Sequence, residues 1–253
     1  MSQWHLLTSA QIANFDRRIP VVLPMGAVEQ HGPHLPLATD AMIATHFAAR
    51  LDNELGEGVL VLPTVVVGYS GIHRGFAGTL SLRHSTLATQ ATDVLGCALS
   101  QGFRSALLLN ANGGNEGVAQ VALEQLGEDW PERHLVRTTW WRVASEELAT
   151  ISETGPGGVG HACELETSLM LAIAPELVHL DAAPARVNRP AFDWDTADLL
   201  RPGRATLFRA MSEVAPTGVF GEPRVASPHK GKAISEAVTK HLVDIVRSLG
   251  THR

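Results

Sequence analysis

The stretch V-V-L-P-M-G-A-V-E-Q-H-G-P-H-L-P-L-A-T-D, residues 21–40, joins an apolar run to a loop rich in candidate metal ligands. Its first five residues are typical of a buried strand. The loop then offers Glu29, His31 and Asp40, with His34 as a further imidazole. Because α/β proteins bind ligands beyond the carboxyl ends of their strands, this pattern predicts a site at the end of the first strand. Two carboxylates and an imidazole suit zinc, manganese or iron.

Bulk composition narrows the class of protein. The chain has 253 residues, of which 45% are hydrophobic and 18% charged, and this is ordinary for a globular protein. Its net charge of −6 and the lack of a basic stripe argue against nucleic-acid binding. No apolar run is long enough for a membrane span, and no signal peptide is recognisable. With only Cys97 and Cys163, we expect a cytoplasmic protein, and we interpret Cys163 as a core residue rather than a ligand.

Strand-like and helix-like segments alternate along the chain, which indicates a mainly parallel sheet with helices on both faces. The predicted strands are residues 21–25, 59–67, 105–109 and 134–139, and the predicted helices are residues 41–55, 85–101, 116–126, 162–174 and 230–249. Residues 184–204 have no clear period and are interpreted as a loop or lid. The expected fold class is therefore α/β, a single three-layer αβα domain spanning residues 1–253.

Two glycine-containing segments follow predicted strands. Residues 68–82 place glycines around Ser70 and His73, which suits either a ligand-contacting loop or a mobile surface loop. The segment lacks the G-x-S-x-G pattern of a nucleophilic serine. Residues 110–115 read N-A-N-G-G-N before a predicted helix, where backbone N–H groups can bind an anion or a carbonyl oxygen. This segment lacks the lysine of a nucleotide-binding P-loop.

A third segment, residues 161–168, reads H-A-C-E-L-E-T-S. If a helix starts here, His161 and Glu164 share one face, and Glu166 points roughly away from Glu164. His161 and Glu164 would then serve as a metal ligand and a general base, or they would simply mark the start of a helix. Residues 218–231 form a further shaped loop before the last helix.

Taken together, five stretches resemble the creatininase family, also called creatinine amidohydrolases. These are L-P-M-G-A-V-E-Q-H-G-P-H-L-P-L-A-T-D, G-Y-S-G-I-H-R-G-F-A-G-T-L-S-L, L-L-L-N-A-N-G-G-N, G-H-A-C-E-L-E-T-S-L-M-L and G-V-F-G-E-P-R-V-A-S-P-H-K-G. They occur in the family's order and cover nearly the whole chain. The resemblance implies a creatininase-like fold and metal-dependent hydrolysis of a carbon–nitrogen bond in a small, often cyclic, amide or formamide. It also implies a homo-oligomer, commonly a hexamer.

The resemblance further implies residue roles and a cofactor of one or two divalent ions, zinc first, with manganese or iron as alternatives. Glu29 and His31 would each bind one ion, and Asp40 would bridge two. Glu164 would complete the metal shell and take part in catalysis, and His161 would contact the substrate or carry a proton to the leaving nitrogen. The substrate-binding residues would be Ser70, His73, Asn112, Gly113 and Gly114.

Two departures from the family pattern leave alternatives open. Asn112 stands where relatives carry a metal-binding histidine, and its amide oxygen is a much weaker ligand. One ion would then bind weakly, or His34 or Cys163 would substitute. Ile72 and Ala77 replace a glutamate and a proline, which suggests a different substrate. The alternatives to an amidohydrolase are a mononuclear enzyme for lactone or related carbonyl chemistry, and a non-catalytic protein that binds a ligand.

Overall fold

The computed structural model describes residues 2–186, 191, 192, 194, 195, 198–201 and 203–252. The strands are β1 Val21–Met25, β2 Leu60–Val61, β3 Ser105–Asn110, β4 His134–Thr139, β5 Val159–His161 and β6 Phe220–Gly221. The first four form a parallel sheet in the order β2-β1-β3-β4. The last two pair antiparallel as a separate ribbon.

The helices cover both faces of the parallel sheet. They are α1 Ser9–Asn14, α2 Thr39–Leu55, α3 His84–Ser100, α4 Glu116–Asp129, α5 Trp140–Val143, α6 Ser145–Ile151, α7 Glu164–Ile173, α8 Met211–Val214 and α9 Pro228–Thr251. Short 3-10 helices lie at Trp4–Leu6, Gly56–Gly58, Gly71–His73, Gly113–Asn115, Pro175–Leu177 and Leu180–Ala182. In the part of the chain that the structure describes, no helix combines the length and the apolar character needed to cross a membrane.

Two hydrophobic cores lie on opposite faces of the sheet, because successive strand side chains alternate between the faces. Val22 and Leu107 pack with residues of α2, α7 and α9 in one core. Val21 and Leu23 pack with residues of α3 and α4 in the other. The predicted three-layer α/β/α fold class is confirmed. That residues 1–253 make up one domain stays a prediction.

Several elements differ from the sequence-based expectation. The predicted strand at residues 59–67 shortens to β2, because Pro63 lacks the N–H that a sheet ladder needs; beyond it, Val65 forms only an isolated bridge with Met25. The helix predicted from residue 162 begins at Glu164, since Ala162 has a positive φ of 52°. The ribbon of β5 and β6 was not predicted. Part of the predicted loop at residues 184–204 lies outside the described residues.

The carboxyl ends of β1 and β3 lie side by side, with Met25 paired to Asn110. A Cβ atom on Gly26 would lie 2.4 Å from the Ala41 Cα, so only glycine allows the end of β1 to touch the first turn of α2. This close contact holds Asp40 beside the ends of the central strands. The candidate site forms at this edge of the sheet.

Candidate metal centre and active site

Five side chains that offer metal-ligand atoms converge at this edge of the sheet. They form two groups that share His31, one with Glu29 and His161 and the other with Asp40 and Glu166. Within each group the ligand atoms lie within 4.8 Å of one another. Glu29, Asp40 and Glu166 are all buried. The structure therefore brings the predicted ligands Glu29, His31 and Asp40 together, and their role as ligands stays a prediction.

The surroundings of the His31 imidazole favour a positive charge. Its Nδ1 lies 3.1 Å from the carbonyl oxygen of Glu29 and donates to it. Its Nε2 then faces two carboxylates, 3.2 Å from Asp40 Oδ1 and 4.0 Å from Glu166 Oε1. Burial alone would lower the pKa of His31, but the carboxylates of Asp40, Glu166 and Glu29 outweigh it and raise that pKa to about 10. A proton or a metal cation at Nε2 would satisfy this environment.

The carboxylates are crowded in a way that suits a cation. Burial raises the pKa of Glu166 to about 7, and the charge of Asp40 adds to the effect. Burial also raises the pKa of Asp40. Glu29 differs, because the hydrogen bond from His73 and the charge of His31 outweigh its burial and lower its pKa.

A metal fits this donor set. Among the described residues, the buried atoms Glu29 Oε2 and His31 Nε2 have no well-aligned hydrogen-bond partner. Within the described part of the chain, the ion pairs of Glu29, Asp40 and Glu166 are all with histidines. Zinc and manganese bind carboxylate oxygens and imidazole nitrogens whose lone pairs are free.

Gln30 fixes the orientation of two further histidines, a role that the sequence analysis missed. Its Nε2 lies 2.8 Å from His73 Nδ1 and donates to it, so the His73 proton sits on Nε2, 3.1 Å from Glu29 Oε1. Its backbone oxygen accepts from His161 Nε2 at 2.7 Å. The His161 Nδ1 lone pair then faces Glu29 Oε1 at 3.7 Å. Burial and the nearby His31 and His73 lower the pKa of His161 well below its usual value, so this ring is neutral.

Glu164 does not lie in the cluster, and its position disagrees with the prediction that it completes the metal shell. Its buried carboxylate accepts from Lys230 Nζ at 2.6 Å, and also from Ser152 Oγ and the Glu153 backbone N–H. His161 ends β5 and Glu164 starts α7, so the two residues do not share a helical face.

Glu166 takes the position that had been assigned to Glu164. Ala162 has a positive φ and α7 begins at Glu164, and in this helix Glu166 is the acid that lies with His31 and Asp40. Both acids lie in the first turn of α7, where the sequence offers no signal that separates them.

Asn112 reaches the cluster through its amide nitrogen. Its Oδ1 accepts the backbone N–H of Asn115 at 3.1 Å, so its Nδ2 donates to Asp40 Oδ2 at 2.8 Å. An amide N–H has no lone pair for a metal, and the prediction of Asn112 as a ligand disagrees with this geometry. The hydrogen bond also occupies the Asp40 oxygen that would otherwise serve a second ion.

The two suggested substitutes for the missing histidine also lie outside the ligand groups found among the described residues. His34 Nε2 is 3.0 Å from Thr167 Oγ1, and burial lowers its pKa to about 4. Cys163 caps the start of α7, and burial raises the pKa of its thiol to about 12. The interpretation of Cys163 as a core residue agrees with its complete burial.

A cavity of about 220 Å³ opens directly above the cluster. Its polar floor contains Glu29, Asp40, His73, Asn112, His161 and Glu166. Gly113 and Gly114 also line it, and a Cβ on Gly114 would lie 2.3 Å from the Tyr69 carbonyl oxygen. Ser70 is not among the lining residues; it is buried behind Glu29, whose pKa its hydroxyl helps to lower. Of the predicted substrate-binding residues, only Ser70 lacks access to the cavity.

The family model for creatininase (creatinine amidohydrolase) matches residues 5–246. The chain belongs to the creatininase family. Its members include amidohydrolases, and this chain shares the fold of solved members.

Curated relatives carry several different names. The mycofactocin precursor peptide peptidase of Mycobacterium tuberculosis (strain ATCC 25618 / H37Rv) is 33% identical over 244 residues, covering 93% of this chain and 87% of that protein. The creatinine amidohydrolase of Pseudomonas putida is 29% identical, covering 90% and 88%. The 3-dehydro-scyllo-inosose hydrolase of Thermotoga maritima is 27% identical, covering 90% and 77%.

Solved creatininases share the fold of this chain. A crystal structure of creatinine amidohydrolase superimposes with a TM-score of 0.83 at 24% identity, covering 100% of this chain and 99% of the other. A manganese form of creatininase gives the same TM-score at 24% identity, covering 99% of each chain. At this identity the likeness establishes the three-layer fold and leaves the chemistry to the site itself.

Proposed function

We propose that this protein is a metal-dependent hydrolase of a carbon–nitrogen bond in a small amide or short peptide-like substrate. The observation that carries the proposal is the convergence of His31 Nε2 on the carboxylates of Asp40 and Glu166 under an open cavity. Glu29, His31, Asp40 and Glu166 would hold one or two divalent ions, zinc or manganese first. When bound, such ions lower the pKa of water and polarise an amide carbonyl.

His161 is suited to proton transfer in this reaction. It is neutral, its Nε2–H is bound to the Gln30 carbonyl oxygen, and its Nδ1 is directed into the cluster beside the cavity. Nδ1 would accept the proton released as water adds to the carbonyl carbon. It would then deliver that proton to the nitrogen as the carbon–nitrogen bond breaks, leaving a carboxylic acid and an amine. Gly113 lines the same cavity as His161, and a Cβ atom there would meet no neighbouring atom of the described residues within 4 Å, which leaves this part of the wall open to a substrate.

Relatives support the proposal at the level of chemistry. Two of those described above are named for cleavage of amide-type bonds, as a peptide peptidase and a creatinine amidohydrolase. Creatininase has been solved in a manganese form, and a variant of it in a Zn–Zn form.

A second candidate function is mononuclear hydrolysis of a carbonyl compound that is not an amide. The hydrogen bond from Asn112 to Asp40 Oδ2 favours it, because that bond hinders a bridging role for Asp40. The relative named 3-dehydro-scyllo-inosose hydrolase also shows that the names among these proteins are not confined to amides.

Metal analysis combined with an amide-hydrolysis screen tests the proposal. We expect protein purified without chelator to contain metal and to release amine from small cyclic amides, formamides or dipeptides. His161→Ala should keep its metal while turnover falls by about 10²–10⁴-fold, the usual contribution of a general acid–base group. His241→Ala is the control, because His241 binds Glu147 on another part of the surface.

Each other outcome points to a different function. Metal loss in His161→Ala equal to that in His31→Ala would make His161 a ligand. One ion per chain with lactone opening but no amide cleavage would favour the second candidate. If the protein contains no metal and hydrolyses none of these compounds, the remaining candidate is a non-catalytic protein that binds a ligand.

A further inference from the structure

A small hydrophobic cluster lies above the candidate site, separate from the two cores that flank the sheet. Met211, Ala215 and Phe220 are its buried members, and Ile72 and Val214 pack against them. It is built from the start of α8, strand β6 and the 3-10 helix Gly71–His73. Four of these side chains line the cavity opposite its polar floor: Ile72, Met211, Val214 and Phe220.

The position of Ile72 shows how this apolar wall meets the reacting centre. Ile72 and His73 are consecutive in one 3-10 helix and both line the cavity. His73 is bound to Glu29 in the polar floor, whereas Ile72 packs with the apolar cluster. The boundary between the polar floor and the apolar wall therefore runs between these two residues.

Among the described residues that line the cavity outside its floor, the two charged ones are paired with each other. Asp195 and Arg209 both line the cavity, and Arg209 donates to Asp195 Oδ2 at 2.8 Å. This pair contributes no net charge. A charged group on a substrate would lose its hydration against the apolar wall, and the wall offers it no polar partner.

We propose that the apolar wall is a specificity subsite, and that the substrate carries an uncharged aliphatic or aromatic group next to its amide. This inference rests on the proposed function for the amide itself. The wall recognises the attached group by burying its apolar surface. An apolar pocket distinguishes substrates by about 10–200-fold for a change of one methylene.

Three primary amides of similar length test the subsite: isocaproamide, glutaramate and δ-aminovaleramide. They end in an isopropyl group, a carboxylate and an ammonium, respectively. Binding to zinc-loaded protein is followed through the methyl resonance of Met211, assigned with Met211→Leu. We expect isocaproamide to bind at least about tenfold more tightly than either charged amide. Release of ammonia from each amide is measured in parallel.

A charge introduced into the wall should reverse this preference. Ile72→Glu should lower the affinity for isocaproamide by about tenfold or more and raise the affinity for δ-aminovaleramide. Val121→Glu is the matched control, since Val121 is exposed on α4 and does not line the cavity. Thermal melts identify any loss of folding in Ile72→Glu. Val214→Ala removes apolar surface from the wall without adding a charge and provides a second test. It should lower the affinity for isocaproamide and leave the affinities for the two charged amides unchanged.

The two readouts separate this inference from the proposed function. Preference for isocaproamide in binding, without hydrolysis of any amide, supports the subsite and counts against the amidohydrolase. Hydrolysis or binding of all three amides at similar strength overturns the subsite and leaves the amidohydrolase standing. Tighter binding of a charged amide by the wild-type protein also overturns it.

Discussion

Glu164 and Glu166 lie two residues apart in the first turn of one helix, and both are buried, yet their surroundings are opposite. Glu164 meets donors only: an ammonium at 2.6 Å, two hydroxyls and a backbone N–H. Glu166 faces the carboxylate of Asp40 and the imidazole of His31. The charge of Glu164 is therefore paired with an ammonium of the protein, whereas Glu166, among the described residues, has only His31 as a cationic partner when that ring is protonated.

We expect this difference to separate stability from metal binding within a single helical turn. The pair of Glu164 and Lys230 joins the start of α7 to the start of α9 and holds residues 152–154. Glu166 adds repulsion to the site when no cation is bound. Substitutions of the two acids should therefore act on different measured quantities.

The largest expected effect is on metal affinity. Glu166→Gln removes a charged ligand from the group formed with His31 and Asp40, and we expect affinity for zinc to fall by more than about 10³-fold. Competition with a chromogenic chelator measures it. Glu164→Gln is the matched control and should bind zinc within about tenfold of wild type. Equal zinc loss in the two variants would contradict the separation of roles.

The next effect is on folding. Glu164→Gln leaves the largely buried Lys230 ammonium without its main partner and should lower the free energy of unfolding by about 3–5 kcal/mol. Chemical denaturation of the metal-free protein measures it. Glu153→Gln serves as control, because Glu153 contacts the same ammonium with a side chain that is 67% exposed, and it should cost less than about 1 kcal/mol. If Glu164→Gln is no more costly than that, the buried pair is not a structural anchor.

The third effect is a pH dependence of the metal-free protein. The pKa of Glu166 is about 7 in the folded protein, against an ordinary value of 4.5 for an exposed glutamate. As the pH rises, Glu166 therefore loses its proton in the unfolded chain before it does so in the folded protein. The free energy of unfolding should therefore fall as pH rises from about 4.5 to 7, by on the order of a few kcal/mol. Melting in the presence of a chelator should show this slope in wild type and Glu164→Gln but not in Glu166→Gln. Retention of the slope in Glu166→Gln would assign the titration to another group.

The smallest effect concerns the second ion. Because Asn112 donates to Asp40 Oδ2, we expect wild type to lose one ion before the other during dialysis against a mild chelator. Asn112→His should tighten the weaker ion by about tenfold, since it frees this oxygen and adds an imidazole. Asn112→Ala frees the oxygen only and should change affinity less. Two ions of equal affinity in wild type would show that Asn112 does not weaken the second site.

Several expectations from the sequence await measurement. The homo-oligomer, the cytoplasmic location and the small-molecule amide substrate remain predictions. Analytical ultracentrifugation of the purified protein would determine the number of subunits.

Local pattern was enough to predict most of the framework. The apolar run at β1, the helical spacing of α2 and the strand before Asn110 follow from periodicity, which acts over a few residues. The loop after β1 carries Glu29, His31 and Asp40 within one short stretch, so their proximity was also predictable. The strand at residues 59–67 was overestimated because Pro63 interrupts the ladder that its β-branched neighbours favour.

The sequence by itself determined the order of the four strands of the parallel sheet and of the five longest helices, and the segment after β1 that supplies most of the candidate ligands. Only the tertiary structure decided which acid of α7 completes the cluster. Successive helical residues are rotated by roughly 100°, so Glu164 and Glu166 point in nearly opposite directions, and the residue at which the helix begins selects between them. That starting point depends on the positive φ of Ala162 and on the pairing of β5 with β6, about sixty residues apart along the chain. Contacts over such a separation form only in the folded chain, and no local pattern encodes them.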